Sequence, residues 1–516
     1  MTLFRNPIRT ARLGTLLLIP VGLMVGCTDL KENPTSLITK DTFYKNSDEV
    51  TAGLASVYAN LRNQYEDYYA LNQVSSEETV VPVRGSDWFD NGAWLELHRQ
   101  GWAPTSVVGL REVSNIWNQQ YQGVARANVV LEQLDKVTIP NQAAVKAELR
   151  TLRALFYLDL MDCYGGVPIA TDTKVDARPA KTRAEVFAFI ETELKAARAD
   201  LPKTWGDQQG RVTQGAADAM LASLYLNARV WTATPTATGL TLGAAKWTEA
   251  SAAADAVINS GTYTLATDYK ANFTYTNQNS TENILVVRGK AVDGLGFNRQ
   301  FNALHYNSFG GGGGWNGWSV VADAYNRFDA SDLRRSVVLA GPQVDLFTGV
   351  PVNDRTGARL VFTVTIADIT SANEGEGVRL YKYPLDPNRA GNASGNDFAL
   401  YRLAEMYLIK AEAQNELGNT AAAITLLNTV RARAFSPAKP IAAGLDQVTV
   451  RGLIFNERLF ELLGEGKHRQ DQIRKGDYNT GIWFGKTTAS AAYKAILPIP
   501  QSQLNTNPSL VQNPGY

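Results

Sequence analysis

The sequence predicts a mostly α-helical body of repeated helix pairs, interrupted by one irregular segment of loops and short strands. Apolar residues recur at three- and four-residue steps across most of residues 46–260 and again across 398–516, the spacing that gathers them on one stripe of a helix. Residues 261–397 differ in kind: β-branched and aromatic runs such as ILVV and RLVFTVTI are broken by Gly, Asn and Asp, which reads as short strands and loops. Length and composition agree, because 516 residues with 45% hydrophobic content suffice for a large buried core.

Taken in chain order, Arg5, Arg9 and Arg12 precede an apolar run from Leu13 to Gly26, the charged and hydrophobic regions of a secretory leader expected over 1–26. The run is shorter than the ~20 apolar residues that a membrane span needs, and Pro20 interrupts it. It ends in Met24-Val25-Gly26-Cys27, which resembles a bacterial lipobox, although Leu is commoner than Met at its first position. Two cysteines are too few for a disulfide framework, and the three histidines, His98, His305 and His468, show no zinc-ligand spacing, so no metal or other cofactor is expected. Cys27 is therefore expected to be an attachment point for lipid, each buried methylene of which contributes about 0.8 kcal/mol to anchoring. Residues 27–45 read as its polar tether, and Cys163 reads as a small buried hydrophobe.

Helical periodicity then runs through VYANLRNQY, IWNQQYQGVARANVVLEQLDKV and VKAELRTLRALFYLDLMDCYGG. The last of these is expected to stop at Gly165-Gly166 with a glycine in the left-handed position, ahead of Pro168. Further helices are expected over 182–200, 213–231 and 245–260, with PTATGLTLG as a loop or strand between the last two. The pair at 398–434 is more specific. Phe398, Leu403, Tyr407, Leu408 and Ala411 make one stripe, Leu417-Gly418-Asn419 makes the turn, and Ala421 to Ile424 with Leu427 and Val430 make the returning stripe. Its A-x-x-x-L-G-N-x-x-x-A-I pattern is close to half of a tetratricopeptide repeat, a unit that must stack on neighbours to bury its core.

Lys plus Arg equals Asp plus Glu at 50 each, and charged residues are only 19%, so no field exists to hold nucleic acid. Two aromatic loops remain as binding candidates. VVPVRGSDWFDNGAWLELHRQGW, residues 80–102, combines Arg84, Asp87, Trp88, Asp90 and Asn91 with Trp94 and Trp102. Flat rings that cover apolar C–H faces, beside planar groups that make paired hydrogen bonds, are what a sugar needs. Trp94 and Trp102 read as core plugs, while Trp88 fits either ligand contact or packing. LHYNSFGGGGGWNGWSVVADAYNRFD, residues 304–329, ends its glycine run in Trp315 where a phosphate loop would need Gly-Lys-Ser/Thr, so nucleotide binding is poorly supported. Tyr306, Trp315 and Trp318 form the second group, with Trp318 equally suited to anchoring the next helix. Arg379, alternating with Tyr381 and Tyr383, is either a hydroxyl-gripping fork or part of an ordinary exposed strand face.

Four stretches in order resemble the SusD/RagB family of outer-membrane lipoproteins: the lipobox with CTDLKENP; LRALFYLDLMDCYGGVPIA; YRLAEMYLIKAEAQNELG with NERLFELLGEGKHRQDQIRKG; and the terminus ILPIPQSQLNTNPSLVQNPGY. The resemblance implies a body of four imperfect tetratricopeptide-like units: an N-terminal helical region over 46–260, a variable ligand-bearing segment over 261–397 and a C-terminal region over 398–516. It also implies a surface-exposed, lipid-anchored lid that binds oligosaccharide over a SusC-like TonB-dependent transporter in the outer membrane. A peptide-binding lid or a docking scaffold of the same complex is the alternative reading. A glycosidase would need a carboxylate pair, for which Glu77, Glu78, Asp87 and Asp90 are the nearest supply, but no catalytic motif accompanies them.

Overall fold

The structure is a computed structural model that describes residues 43–292, 295–310 and 313–516, of which Tyr44–Tyr516 form one compact unit. Cys27, the leader expected over 1–26, nearly all of the tether, and Gly311 and Gly312 lie outside the described residues. Helix α1 (Ser47–Ala59) starts where the Asn46 side chain accepts from the Asp48 and Glu49 amides, satisfying donors that the first turn leaves free. Helices α2 (Asp67–Val74) and α3 (Ala93–His98) bracket the first aromatic loop. The long α4 (Ser114–Leu134) and α5 (Gln142–Tyr164) fall where the periodicity places them. From Thr151 to Tyr164 every side chain of α5 is buried, so this helix is the axis of the core. Its stop at Gly165 has φ +74° and ψ −108°, which is outside the left-handed helical basin expected there and is tolerated only because glycine has no Cβ.

A capping box on Thr182 and Glu185 opens α6 (Arg183–Arg198). The expected helix over 213–231 is broken at Asn227 into α7 (Gln214–Leu226) and α8 (Ala228–Trp231), and α9 is Trp247–Ile258. Each of α4, α5, α6, α7 and α9 packs on the long helix that follows it. The short α10 (Gln300–Ala303) and α11 (Ala322–Arg327) lie in the irregular segment, after which α12 (Leu403–Glu416) lies against both α9 and α13 (Thr420–Arg431). Between α12 and α13 the Asn419 amide donates to the Gln414 carbonyl at 2.8 Å and the Gly418 amide to the Asn415 carbonyl at 3.0 Å, the paired closure that makes Leu-Gly-Asn a helix stop. The stack continues through α14 (Gln447–Leu462) to α15 (His468–Lys475). No described helix is long and apolar enough to cross a membrane.

One expected helical stretch is a strand. Phe398–Arg402 pairs antiparallel with Asn283–Val287, the ILVV run, and all five of its residues are buried. Local periodicity favoured helix there, but burial on both faces against a distant partner decides strand. The remaining strands are short ribbons, including Thr234–Thr236 with Gly239–Thr241, Val338–Leu339 with Arg379–Leu380, and Thr79–Val80 with Ser319–Val320. The chain ends on the core: Trp102 is fully buried and donates to the Tyr516 hydroxyl at 2.8 Å, which donates to the Ile496 carbonyl at 2.7 Å. Cys163 is a free, fully buried thiol whose pKa burial pushes up, so it stays protonated and packs as a small apolar side chain.

Buried carboxyls of opposite behaviour set the pH response. Burial alone would raise Glu77 and Asp471, but His468 and Arg327 hold Glu77 at about 2, and Arg458 and Arg474 hold Asp471 at about 2. Groups held low contribute stability above the ordinary carboxylate range, and that contribution is lost as pH falls from about 4.5 toward 2. Burial instead lifts Glu78 to about 7 and Asp159 to about 8. Their neutral forms suit the fold below the ordinary range, and the contribution is lost as pH rises from that range toward about 7 to 8. Glu78→Gln, neutral at every pH, is expected to flatten the fall of the thermal midpoint between about pH 4.5 and 7; an unchanged fall contradicts the role given to Glu78.

Candidate functional site

Between α2 and α3 the chain makes a tight turn in which Arg84 and Asp87 exchange two backbone hydrogen bonds at 3.0 Å, with Gly85 at φ +63°. Beyond it, Trp88, Asp90 and Asn91 have φ of +65°, +40° and +53°, a left-handed conformation that costs a side-chain-bearing residue roughly 1–2 kcal/mol. Such strain persists where surrounding contacts over-determine it. Here the Trp88 indole N–H donates to the Trp315 carbonyl at 2.6 Å, and its ring lies on Gly317 so closely that a Cβ there would sit 2.1 Å from the indole. The result is a partly exposed tryptophan, flanked by Phe89 with 57% of its surface exposed and by exposed Asp90 and Asn91.

The second aromatic loop meets the first through Tyr306, whose hydroxyl donates to Asp87. Burial first, and then the Asp87 hydrogen bond, push the Tyr306 pKa well up, so the phenol stays protonated. Arg355, half exposed, sits 3.9 Å over the Tyr306 ring and 3.4 Å from Asp87, and its other side pairs with Glu374. Glu374 also accepts from His305 Nε2 at 2.9 Å. Trp88, Asp87, Tyr306 and Arg355 are thus joined into one surface of two rings edged by a carboxylate and a guanidinium.

Beneath this surface two buried guanidiniums hold a turn. Arg84 donates to the Asn373 and Glu376 carbonyls, and Arg379 to the Glu374, Glu376 and Gly377 carbonyls. Both also reach the Ser319 hydroxyl, at 3.1 and 2.7 Å. Neither has a carboxylate partner among the described residues, so burial, and for Arg379 then its neighbour Arg84, drives both pKa values down, Arg84 to about 10. Backbone carbonyls, the Ser319 hydroxyl and, for Arg379, the Asn316 side-chain oxygen at 3.0 Å answer these charges, which ties the loops at 84–92, 316–320 and 373–379 to one another.

The chain matches two family models, one described as the SusD family over residues 281–516 and one described as starch-binding associating with outer membrane over residues 32–226. The chain belongs to the SusD family. Among its relatives are SusD-like protein P25 of Formosa agariphila, 26% identical over 94% of this chain and 96% of that one, and starch-binding protein SusD of Bacteroides thetaiotaomicron, 26% identical over 88% and 86%. A solved laminarin-binding SusD-like protein superposes with a TM-score of 0.72 at 25% identity, covering 92% of this chain and 100% of that one.

Within this SusD-family fold the sequence-derived candidates separate by depth. Asp87, Trp88, Asn91 and Tyr306 reach the surface together. Arg84 and Arg379, 1% and 0% exposed, do not, so the expectation that they grip ligand is corrected: their Nη donors are taken by carbonyls of the 373–377 turn, the Ser319 hydroxyl and the Asn316 side-chain oxygen. The expected exposed strand face of Arg379, Tyr381 and Tyr383 is likewise absent, since Tyr383 is buried as well. Trp318 is 6% exposed and stacks on Tyr69 at 5.8 Å, at the inner end of a ring series that runs Trp88, Trp94, Trp318. It is a core anchor. Trp315 turns its half-buried ring toward Phe301 and offers its carbonyl, not its face, to Trp88. Arg355 was missed. The NDRTG turn that carries it is legible as a loop tip, but which loop it opposes is set by tertiary packing.

Glu77 and Glu78 are turned inward, Glu77 to Arg327 and His468, Glu78 to Gln73 and the Gly464 amide, so they do not flank this surface. If Arg84 pins the loops, Arg84→Met is expected to speed amide hydrogen exchange in 84–92 and 371–379 by about tenfold or more, the effect of losing roughly one charged hydrogen bond, while α5 stays protected. Unchanged exchange in both loops contradicts the clamp.

Proposed function

We propose that this protein captures oligosaccharide at the cell surface on the Trp88–Tyr306 surface and hands it to a SusC-like TonB-dependent transporter, tethered by lipid on Cys27. The observation that carries the binding reading is Trp88, held partly exposed in a strained backbone by a hydrogen bond and a glycine contact that have no need of the ring's outer side. Sugar C–H faces cover such a ring, while Asp87, Asn91 and Arg355 supply planar hydrogen-bonding groups at its edge. The family description as starch-binding and the laminarin-binding relative support a glycan over a peptide. The inward commitment of Glu77 and Glu78 takes two of the four candidate carboxyls away from this surface, and Asp87 is engaged by Tyr306 and Arg355, which supports binding without hydrolysis, since a glycosidase needs two carboxyls flanking the bond.

Calorimetry against plant, algal and microbial glycans, laminarin and starch included, is expected to find a ligand whose affinity falls about tenfold or more in Trp88→Ala and in Tyr306→Ala, about 1.4 kcal/mol each. Binding of a peptide mixture without any glycan would replace this reading with the peptide lid. Cells that make Cys27→Ser are expected to lose palmitate labelling of the protein and to release it from the membrane fraction; retained labelling contradicts the anchor.

A further inference from the structure

A groove of about 530 Å³ opens between α1, the turn at 139–141, the start of α5, the loop at 205–211 and the strand Asn283–Val287. It shares no lining residue with the Trp88–Tyr306 surface, and its volume falls in the range of small-molecule sites, about 300–1,000 Å³. The floor is aliphatic: Val50, Leu54, Ile139, Val145 and Val286 line it and are each at least nine-tenths buried. Tyr58 and Trp205 also line the groove, and the Arg211 guanidinium covers the Trp205 ring at 3.5 Å, so the aliphatic floor is what excludes water from a bound hydrocarbon chain.

The polar lining is one-sided. Arg62, Arg211 and Arg288 line the groove, and no carboxylate does. Arg211 is answered from outside it by both oxygens of Glu148, and Arg288 by Asp397 at 2.7 Å. Arg62 donates a long hydrogen bond of 3.3 Å from Nη2 to the Leu295 carbonyl and meets the Tyr65 hydroxyl, but has no carboxylate partner among the described residues and keeps its buried Nε without an acceptor. A buried guanidinium N–H left unmade is costly, and an anion is its natural complement.

We infer that this groove binds a free long-chain carboxylate, its alkyl chain on the Val50–Val286 floor and its carboxylate at Arg62. The site is independent of the glycan surface and does not rest on that reading. Calorimetry on the mature chain carrying Cys27→Ser, with hexanoate, octanoate, decanoate and dodecanoate below their micellar concentrations, is expected to show affinity rising with chain length, by up to about fourfold per methylene. Dodecyltrimethylammonium, with the same chain and the opposite charge, is expected to bind at least about tenfold more weakly than dodecanoate. Arg62→Gln is expected to weaken dodecanoate at least about tenfold, and Ala55→Trp, which adds an indole on the exposed wall of α1, to block it, while Trp88→Ala binds dodecanoate as the unchanged protein does. The inference is overturned if dodecanoate does not bind, if the cationic analogue binds equally, if Arg62→Gln has no effect, or if Trp88→Ala abolishes binding.

Discussion

Arg402 lies where the last strand of the irregular segment becomes α12, and its guanidinium makes ion pairs with Glu282, Glu461 and Glu465 at 2.7 to 2.8 Å with no exposure to water. Arg433 shares Glu282 and Glu461, Arg334 adds Asp332 and Glu457, and Lys382 pairs with Glu465. Burial alone would raise Glu461, yet Arg433, Arg402 and Arg334 hold it far below the usual carboxylate range. A buried ion network adds little net stability over apolar packing, but breaking it leaves uncompensated charge, typically at a cost of about 3–5 kcal/mol. Its effect is therefore on register. Strand Asn283–Val287, strand Phe398–Arg402, α14 and the loop after it have one mutual arrangement in which every charge finds its partner.

The same logic appears at the candidate site on a smaller scale, with backbone oxygens in place of carboxylates. Arg84 and Arg379 have carbonyls and the shared Ser319 hydroxyl as acceptors, so they hold a turn that lacks regular structure of its own. A loop with three left-handed side-chain-bearing residues is not stable by local preference. It needs a rigid bed, and the clamp together with the ring series Trp88, Trp94, Trp318, Tyr69 supplies one.

Much of the scaffold was legible because helical burial is periodic in sequence. The stripes of α4, α5 and α12, the Leu-Gly-Asn turn and the irregular character of 261–397 all follow from spacing and turn chemistry. Phe398–Arg402 was misread because its partner strand lies more than 100 residues away, beyond any local pattern. At the site, residue type identified the two loops but not depth. An arginine or tryptophan beside glycine and aspartate has the same local signature whether its side chain faces water or carbonyls, which is why Trp88 and Trp318 could not be told apart, and why Arg84 and Arg379 read as ligand groups. Arg355 carried no signal, since its role comes from the ring it covers.

The two arginine systems are connected through the backbone. Lys382, in the core network, stands three residues after Arg379, in the loop clamp, and the strand pairing of Arg379–Leu380 with Val338–Leu339 keeps the stretch extended between them. A shift of α14 or of the Gly464–Glu465 loop that moved Lys382 would thus be carried directly to the turn under Trp88. Lys382 is itself buried with its ammonium held by the Glu461 and Leu463 carbonyls and by Glu465, so little slack is available to absorb it. Above the clamp, the side chains of Asp87, Asn91 and Arg355 reach solvent and none of them pairs with Arg84 or Arg379. This division lets the rim of the site change residue by residue while the ring it surrounds stays where the buried charges place it.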